Sequence, residues 1–493
     1  MRLDQLILDG EYECEASFPG ELEISDIASK TNAITENSLF VLVESINLSI
    51  DRIINYVKAK RPLVLVCEKE KVNCDFDFPV IFVKNARLMT ALIYSRFYGV
   101  DYSKTKFIGI TGTNGKSSTA EMIRKILVHS GYSTGFIGTG KIEIGEKRLS
   151  GENYSMTTPD PDILYESIRK MQEIGCDFIV MEVSSHALYF DKVAPIPFEL
   201  SVFTNLSQEH LDFHRDINEY FLSKLKLFSQ TKKAVFNLDD RYSKKAFEMF
   251  LGEKSTVGII WGADAVARDI KNRGFLGMDY IYREEKRAMK IRLKLAGAYN
   301  IYNSLMAIRA AVMLGVRPCI AKEAIENIEK IDGRFEIINS DIHIIIDYAH
   351  TPYALESFLK SINSIKTARQ RLSVVFGCGG DRDKTKRPLM GKISEENADF
   401  VIITTDNSRN EKESDIISDI IDGMSAPEKR KVITSRQKAI EYAIISANDG
   451  DVVALVGKGH EKYNIDKSGY HFFDEREIIS NALNKRKQTE HLL

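Results

Sequence analysis

The sequence predicts an α/β protein of three domains, with boundaries expected at residues 1–98, 99–336 and 337–493. Short apolar runs alternate along the chain with stretches of helical period, the pattern of strands joined by crossover helices. The length, 493 residues, suits about three ordinary domains. Polar, glycine-bearing clusters fall just beyond the apolar runs, where open α/β sheets place their sites.

Composition narrows the class. With 44% hydrophobic and 28% charged residues, the chain has the makings of an ordinary packed core. A net charge of −2 with dispersed Lys and Arg argues against a broad nucleic-acid surface. No apolar run reaches membrane-spanning length, and the first residues lack the apolar core of a signal peptide. A cytoplasmic monomer without membrane insertion is expected. The six cysteines, Cys14, Cys67, Cys74, Cys176, Cys319 and Cys378, show no C-x-x-C spacing and read as reduced thiols.

In the first unit, runs at 39–43, 63–66 and 80–83 read as strands, with helices over 49–58 and from Asn85. By itself this small α/β unit carries no evident chemistry.

The central unit opens on Phe107-Ile-Gly-Ile-Thr-Gly-Thr-Asn-Gly-Lys-Ser-Ser-Thr119. An apolar strand enters a loop bearing Gly109, Gly112 and Gly115. Lys116, Ser117 and Ser118 then begin a helix whose apolar positions are Ile123, Ile126 and Leu127. Such a loop closes backbone N–H groups around phosphates, Lys116 adds positive charge, and the Ser117 hydroxyl can ligate Mg²⁺. Ile110 stands where the strict pattern has glycine. The unit is therefore P-loop-type, and runs at 178–181, 200–203 and 233–236 extend a parallel sheet. A hinge is expected near Gly333-Arg334. Beyond it, strands at 343–347, 372–376, 400–404, 431–434 and 452–456 alternate with helices over 354–365 and 437–447, a Rossmann-like open sheet.

Glu182 follows one central strand, and Thr204-Asn205 with His210 and His214 follows the next. Glu182 and His210 could converge on a metal with Ser117. The H-x-x-x-H spacing suggests zinc, but the further ligands expected around a helical zinc pair do not follow. Lys224 lies among apolar residues, where its neutral amine is favoured. A neutral amine can take up CO₂ as a carbamate, an oxygen ligand suited to Mg²⁺. A surface lysine on an amphipathic helix is the commoner reading. In the third unit, Asp347-Tyr-Ala-His350, Gly377-Cys-Gly-Gly-Asp-Arg382, Asp406-Asn407-Ser-Arg409 and Gly457-Lys-Gly-His-Glu461 each follow a strand. Arg for carboxylate and Glu for ammonium suit a small zwitterion.

Together these stretches resemble the Mur ligase family, ATP-dependent enzymes that add amino acids to the peptide of bacterial cell-wall precursors. The matching motifs are Thr111-Gly-Thr-Asn-Gly-Lys-Ser, Met181-Glu-Val-Ser-Ser-His, Thr204-Asn-Leu, His210-Leu-Asp-x-His, Lys224, Gly333-Arg334, Asp347-Tyr-Ala-His-Thr-Pro and Gly377-Cys-Gly-Gly-Asp-Arg-Asp. Within the family they are most similar to the member that adds the third residue of the peptide.

The resemblance implies roles. Lys116, Glu182, His210 and Lys224 would be catalytic, and Gly112, Thr113, Asn114, Gly115, Lys116, Ser117, Ser118, Asn303, Arg334 and Asp347 would hold ATP. Mg²⁺ would bind Ser117, Glu182, His210 and a carboxylated Lys224. Ser29, Thr157, Thr158, Ser184 and Lys192 would contact the UDP-muramoyl dipeptide acceptor, bound chiefly by the first domain. Arg382, Asn407, Arg409, Gly457 and Glu461 would take the incoming diamino acid. Meso-diaminopimelate is expected there, because a guanidinium at Arg409 suits its distal carboxylate; L-lysine and meso-lanthionine are the alternatives.

The chain departs from the family pattern in places. Asp-Ser-Arg appears as Ala28-Ser29-Lys30, a glycine-bearing segment as residues 43–49, and Gln and Arg as Phe190 and Lys192. Asn-Pro-Arg is Asn407-Ser408-Arg409. Two other readings follow: a related ligase acting on a different acyl substrate, or a nucleotide-binding regulator without chemistry.

Overall fold

The computed structural model describes all residues except 14–17, 45–48, 73, 146, 149–155, 211–212, 261, 286 and 491–493. Cys14, most of the 43–49 segment, and Leu211 and Asp212 of the His210 motif lie outside the described residues.

Three α/β units follow one another along the chain. The first is a five-stranded sheet in the order Tyr12–Glu13, Val80–Val83, Val64–Cys67, Ser38–Val41, Asp26–Ala28, parallel except for Tyr12–Glu13. Val64–Cys67 is buried throughout, as an apolar strand covered on both faces should be. Helices Ile50–Lys60 and Ala86–Phe97 cover it through Ile53, Val57, Met89 and Ile93.

The central sheet is built around Lys106–Thr111, which pairs in parallel with Phe178–Glu182 on one side and Phe198–Phe203 on the other. Thr231–Asn237 and Glu253–Gly258 continue the parallel run. The sheet is mixed, unlike the purely parallel one expected. Ala265–Asn272, Met278–Glu284 and Arg287–Leu293 form an antiparallel edge, and Lys141–Ile144 pairs antiparallel with Thr134–Gly138 at the other end. Helices Lys116–His129 and Tyr299–Met313 share one apolar layer, including Ile123, Ile126, Ile301 and Leu305.

The third sheet runs Glu336–Asn339, His343–Asp347, Val452–Val456, Leu372–Phe376, Phe400–Ile403, Arg430–Val432. Only Glu336–Asn339 among these is antiparallel. A hairpin, Tyr463–Asp466 with Gly469–Phe472, follows it. Among the described residues no helix is long and apolar enough to cross a membrane.

Candidate active site

The strand Lys106–Thr111 delivers the glycine loop to the carboxyl edge of the central sheet, and the helix Lys116–His129 leaves from it. Two glycines are required by the approach of neighbours. Gly112 has φ +142°, and a Cβ there would stand 1.9 Å from Thr204 Oγ1. At Gly115, φ +81°, a Cβ would meet Asn303 Oδ1 at 2.5 Å. The loop is pinned by the next strand end. Thr113 N donates to Asn205 O (2.8 Å), Asn114 N to Asn205 Oδ1 (3.0 Å), and Thr204 Oγ1 to Asn114 O (2.7 Å). Ser118 is buried in the first turn of the helix.

Two lysines converge on one carbonyl. Lys116 Nζ donates to Gly112 O at 3.0 Å and Thr113 O at 2.8 Å, and Lys224 Nζ donates to the same Gly112 O at 2.9 Å. Lys224 is buried, at 1% exposure, not on the surface as the commoner reading had it. Burial, then the charge of Lys116, drives its ammonium well below the ordinary lysine range. Burial lowers Lys116 as well.

Beside them, Ser117 Oγ donates to Glu182 Oε2 at 2.8 Å. Glu182 is buried and also accepts from Thr139 N (3.0 Å) and Thr139 Oγ1 (3.3 Å). Two oxygen donors at this separation suit a hard cation. His210 is placed differently. It lies at φ +57° in an aromatic cluster, its ring 5.1 Å from His186 and 6.0 Å from Tyr220, whose hydroxyl is 3.2 Å from Thr113 Oγ1.

The hinge reaches across to this site. Arg334 Nη2 donates to Ser117 Oγ at 2.8 Å, and its guanidinium lies 4.7 Å from the Tyr348 ring centroid. Gly333 at φ +65° passes so close to Gly459 and His460 that a Cβ would stand 2.2 Å from His460 N. Asp347 accepts from Phe335 N and Ala349 N, both at 2.8 Å, and burial raises its carboxyl while Arg334 opposes the rise. Burial and neighbouring cations push His460 down to about 3, so its ring is neutral.

The residues expected to meet the UDP-linked acceptor form a path away from Glu182. Thr158 Oγ1 donates to Glu182 O (2.9 Å) and accepts from Ser184 N (3.0 Å), while Thr157 Oγ1 is 3.2 Å from Thr139 Oγ1. Lys192 pairs with Asp160 at 2.7 Å, and Lys30 of the first unit lies 3.6 Å from the same carboxylate. Ser29 accepts from Tyr94 Oη at 3.3 Å. Phe190, where the family pattern has Gln, serves as a platform for Arg87, whose guanidinium lies 4.6 Å from its ring centroid.

In the third unit Asn407 Nδ2 donates to Glu461 Oε2 at 3.0 Å, and Tyr348 Oη donates to Glu461 Oε1 at 3.4 Å. Arg409, at φ +51°, donates through Nη1 to Gly380 O (2.9 Å) and Asn407 O (3.2 Å). Arg409 and Arg382 both flank Gly379, and Gly457 packs against Asp406. Burial and the Asp406 charge raise Glu461. The motif reading passed over Thr139, Tyr348, Asp406 and Lys458 as site residues. All but Thr139 stand within quoted motifs, and only their tertiary contacts with Glu182, Arg334 and Glu461 distinguish them.

A phosphate loop fused through an arginine hinge to a charge-lined second sheet is the architecture of an ATP-dependent amide ligase. The chain belongs to the Mur ligase family: residues 110–311 match the Mur ligase middle domain and 333–459 the Mur ligase glutamate ligase domain. Over 469 residues it is 38% identical to the UDP-N-acetylmuramoyl-L-alanyl-D-glutamate–2,6-diaminopimelate ligase of Clostridium botulinum, covering 94% of this chain and 95% of that one. The ligase of the same name from Caldanaerobacter subterraneus is 37% identical over 98% of this chain and 99% of its own. A solved structure under that name superposes with a TM-score of 0.68 at 25% identity, covering 99% of both chains.

Proposed function

We propose that this chain joins a diamino acid, meso-diaminopimelate, to UDP-N-acetylmuramoyl-L-alanyl-D-glutamate at the expense of ATP. One observation carries the choice of amino acid. In a chain similar to ligases named for diaminopimelate, Glu461 and Arg409 offer an anion and a guanidinium on loops that follow two strands of one sheet, both in contact with Asn407. Diaminopimelate ends in an ammonium and a carboxylate, whereas lysine ends in the ammonium alone. With lysine bound, Arg409 would lack its anion, which penalises the wrong ligand as well as rewarding the right one.

In the proposed reaction the acceptor's carboxylate oxygen bonds to the γ-phosphorus and ADP leaves. The amine then bonds to the acyl carbon, phosphate departs, and the amine loses a proton. Gly112 to Ser118 cradle the phosphates with Lys116, while Asn303, Arg334 and Asp347 hold the rest of the nucleotide. Thr157, Thr158, Ser184, Lys192 and Ser29 orient the acceptor, and Arg382, Asn407, Arg409, Gly457 and Glu461 the diamino acid. Ser117 and Glu182 would hold Mg²⁺; the family resemblance adds His210, set here in the aromatic cluster, and Lys224 once carboxylated. Mg²⁺, when bound, supplies positive charge where negative charge gathers on oxygen. The depressed Lys224 amine is suited to bond to CO₂ with loss of a proton, giving a carbamate.

This reading assigns residues 1–98 to the UDP-linked acceptor, 99–336 to ATP and 337–493 to the amino acid. It takes the enzyme as a cytoplasmic monomer in peptidoglycan synthesis. The test is incubation with ATP, Mg²⁺ and the UDP-linked dipeptide, offering meso-diaminopimelate, L-lysine and meso-lanthionine in turn. Phosphate release fastest with diaminopimelate supports the reading; a preference for L-lysine overturns it.

A further inference from the structure

Beneath Asn407 and Glu461 lies Lys458, with none of its surface exposed. Its ammonium donates to Tyr463 O at 2.7 Å and Asn407 Oδ1 at 3.1 Å. It lies 3.3 Å from Asp406 Oδ1 and 3.8 Å from Glu461 Oε2. An ammonium has three protons, so the first three partners use them and Glu461 receives its charge alone.

These contacts fix the direction of an amide. Asn407 Oδ1 accepts from Lys458 and from Ile465 N (3.0 Å), which leaves Nδ2 to point at Glu461. The flipped amide would set donors against the ammonium.

The charges around Glu461 are Asp406, Lys458 and Arg436, and the hydroxyls are those of Tyr348 and Tyr463. Arg436 is itself buried and paired with Glu475 at 2.7 Å. Within this paired cluster two cations face three carboxylates, leaving one negative charge shared by Asp406 and Glu461; Arg409, bonded to Asn407 O, and Arg334, against the Tyr348 ring, are the next cations out. Burial favours quenching the shared charge by protonation, and Lys458 opposes that at both carboxylates.

We infer that Lys458 is a positioning residue of the amino-acid pocket: it orients Asn407 and holds Asp406 and Glu461 ionised together, so that one net negative charge awaits the ligand's ammonium. The inference rests on the pocket assignment proposed above. Lys458 touches no substrate itself.

Lys458→Met and Lys458→Arg test it. In Lys458→Met the KM for meso-diaminopimelate should rise at least roughly tenfold while that for ATP stays within about twofold. The acid limb of kcat/KM for the amino acid should move to higher pH, and Lys458→Arg should recover part of both. A second measurement needs no substrate: the ¹³C-carboxyl titration of Glu461, identified by its loss in Glu461→Gln, should shift upward in Lys458→Met. If Lys458→Met does not fold, the double variant Lys458→Met/Glu461→Gln should, because removing one carboxylate with the ammonium returns the cluster to the wild-type net charge. A folded Lys458→Met with wild-type KM and titration, or a double variant that stays unfolded, overturns the inference. A wild type that uses no diamino acid overturns the proposed function instead, and the carboxyl titration still decides the part played by Lys458.

Discussion

The two ends of the site are made of different materials. At the phosphate loop, backbone does the shaping. Gly112 and Gly115 admit Thr204 and Asn303 at distances no side chain allows, and two lysines crowd one carbonyl. At the end proposed for the amino acid, side-chain charge does it: Asp406, Lys458, Arg436 and Glu475 are packed under Glu461. Phosphates present many equivalent oxygens, which a row of N–H groups can meet. A diamino acid differs from its competitors by one charged group, which only placed charges can read.

If that contrast is sound, substitutions at the two ends should fail differently. The largest loss is expected for Lys116→Ala. Phosphate release should fall by on the order of 10²–10³ with the melting temperature little changed; near-normal turnover in a folded variant would sink the phosphate-loop assignment. Lys224→Ala should cost roughly 10–100-fold, the scale of losing a metal-supporting group. Short carboxylates added in solution should restore part of it; rescue by amines would point to a charge-only role, and an active variant without a CO₂ adduct on the wild type would remove the carbamate altogether.

Arg409→Ala tests the other end. A charged pair lost at an interface of this kind costs about 2–5 kcal/mol, and use of diaminopimelate should weaken at least tenfold, about 1.4 kcal/mol, with ATP unaffected. An unchanged preference among the three amino acids would contradict the proposed role.

The smallest effect is one of pH. Burial and Asp406 raise Glu461 from its ordinary value, and only its ionised form attracts an ammonium. As pH falls through that raised value, kcat/KM for the diamino acid should drop at a pH where an exposed glutamate would still be charged. A profile flat down to the ordinary glutamate range would show that Glu461 is not the group that titrates.

The same contrast explains what was legible in the sequence. Strands His343–Asp347, Leu372–Phe376 and Val452–Val456 are built on short apolar runs with buried centres, and such a run announces itself. The antiparallel edge over 265–293 did not, because Arg268, Lys271, Arg287 and Arg292 interrupt its apolar pattern. Phosphate-loop residues are legible because glycine spacing is a local property. Lys224 is hinted at by its apolar neighbours, but Lys458 looks like any surface lysine until tertiary packing takes it out of water, and no local pattern records that.

The bond from Arg334 to Ser117 works as an interlock. Gly333 and Phe335, both at positive φ, set a rigid elbow around Arg334, which leaves the central unit and leads into the strand Glu336–Asn339. Whatever draws the Ser117 hydroxyl toward phosphate therefore pulls on a guanidinium stacked on Tyr348, and Tyr348 in turn holds Glu461. On the proposed assignment, one side chain and one ring therefore join the nucleotide end of the site to the carboxylate meant for the amine.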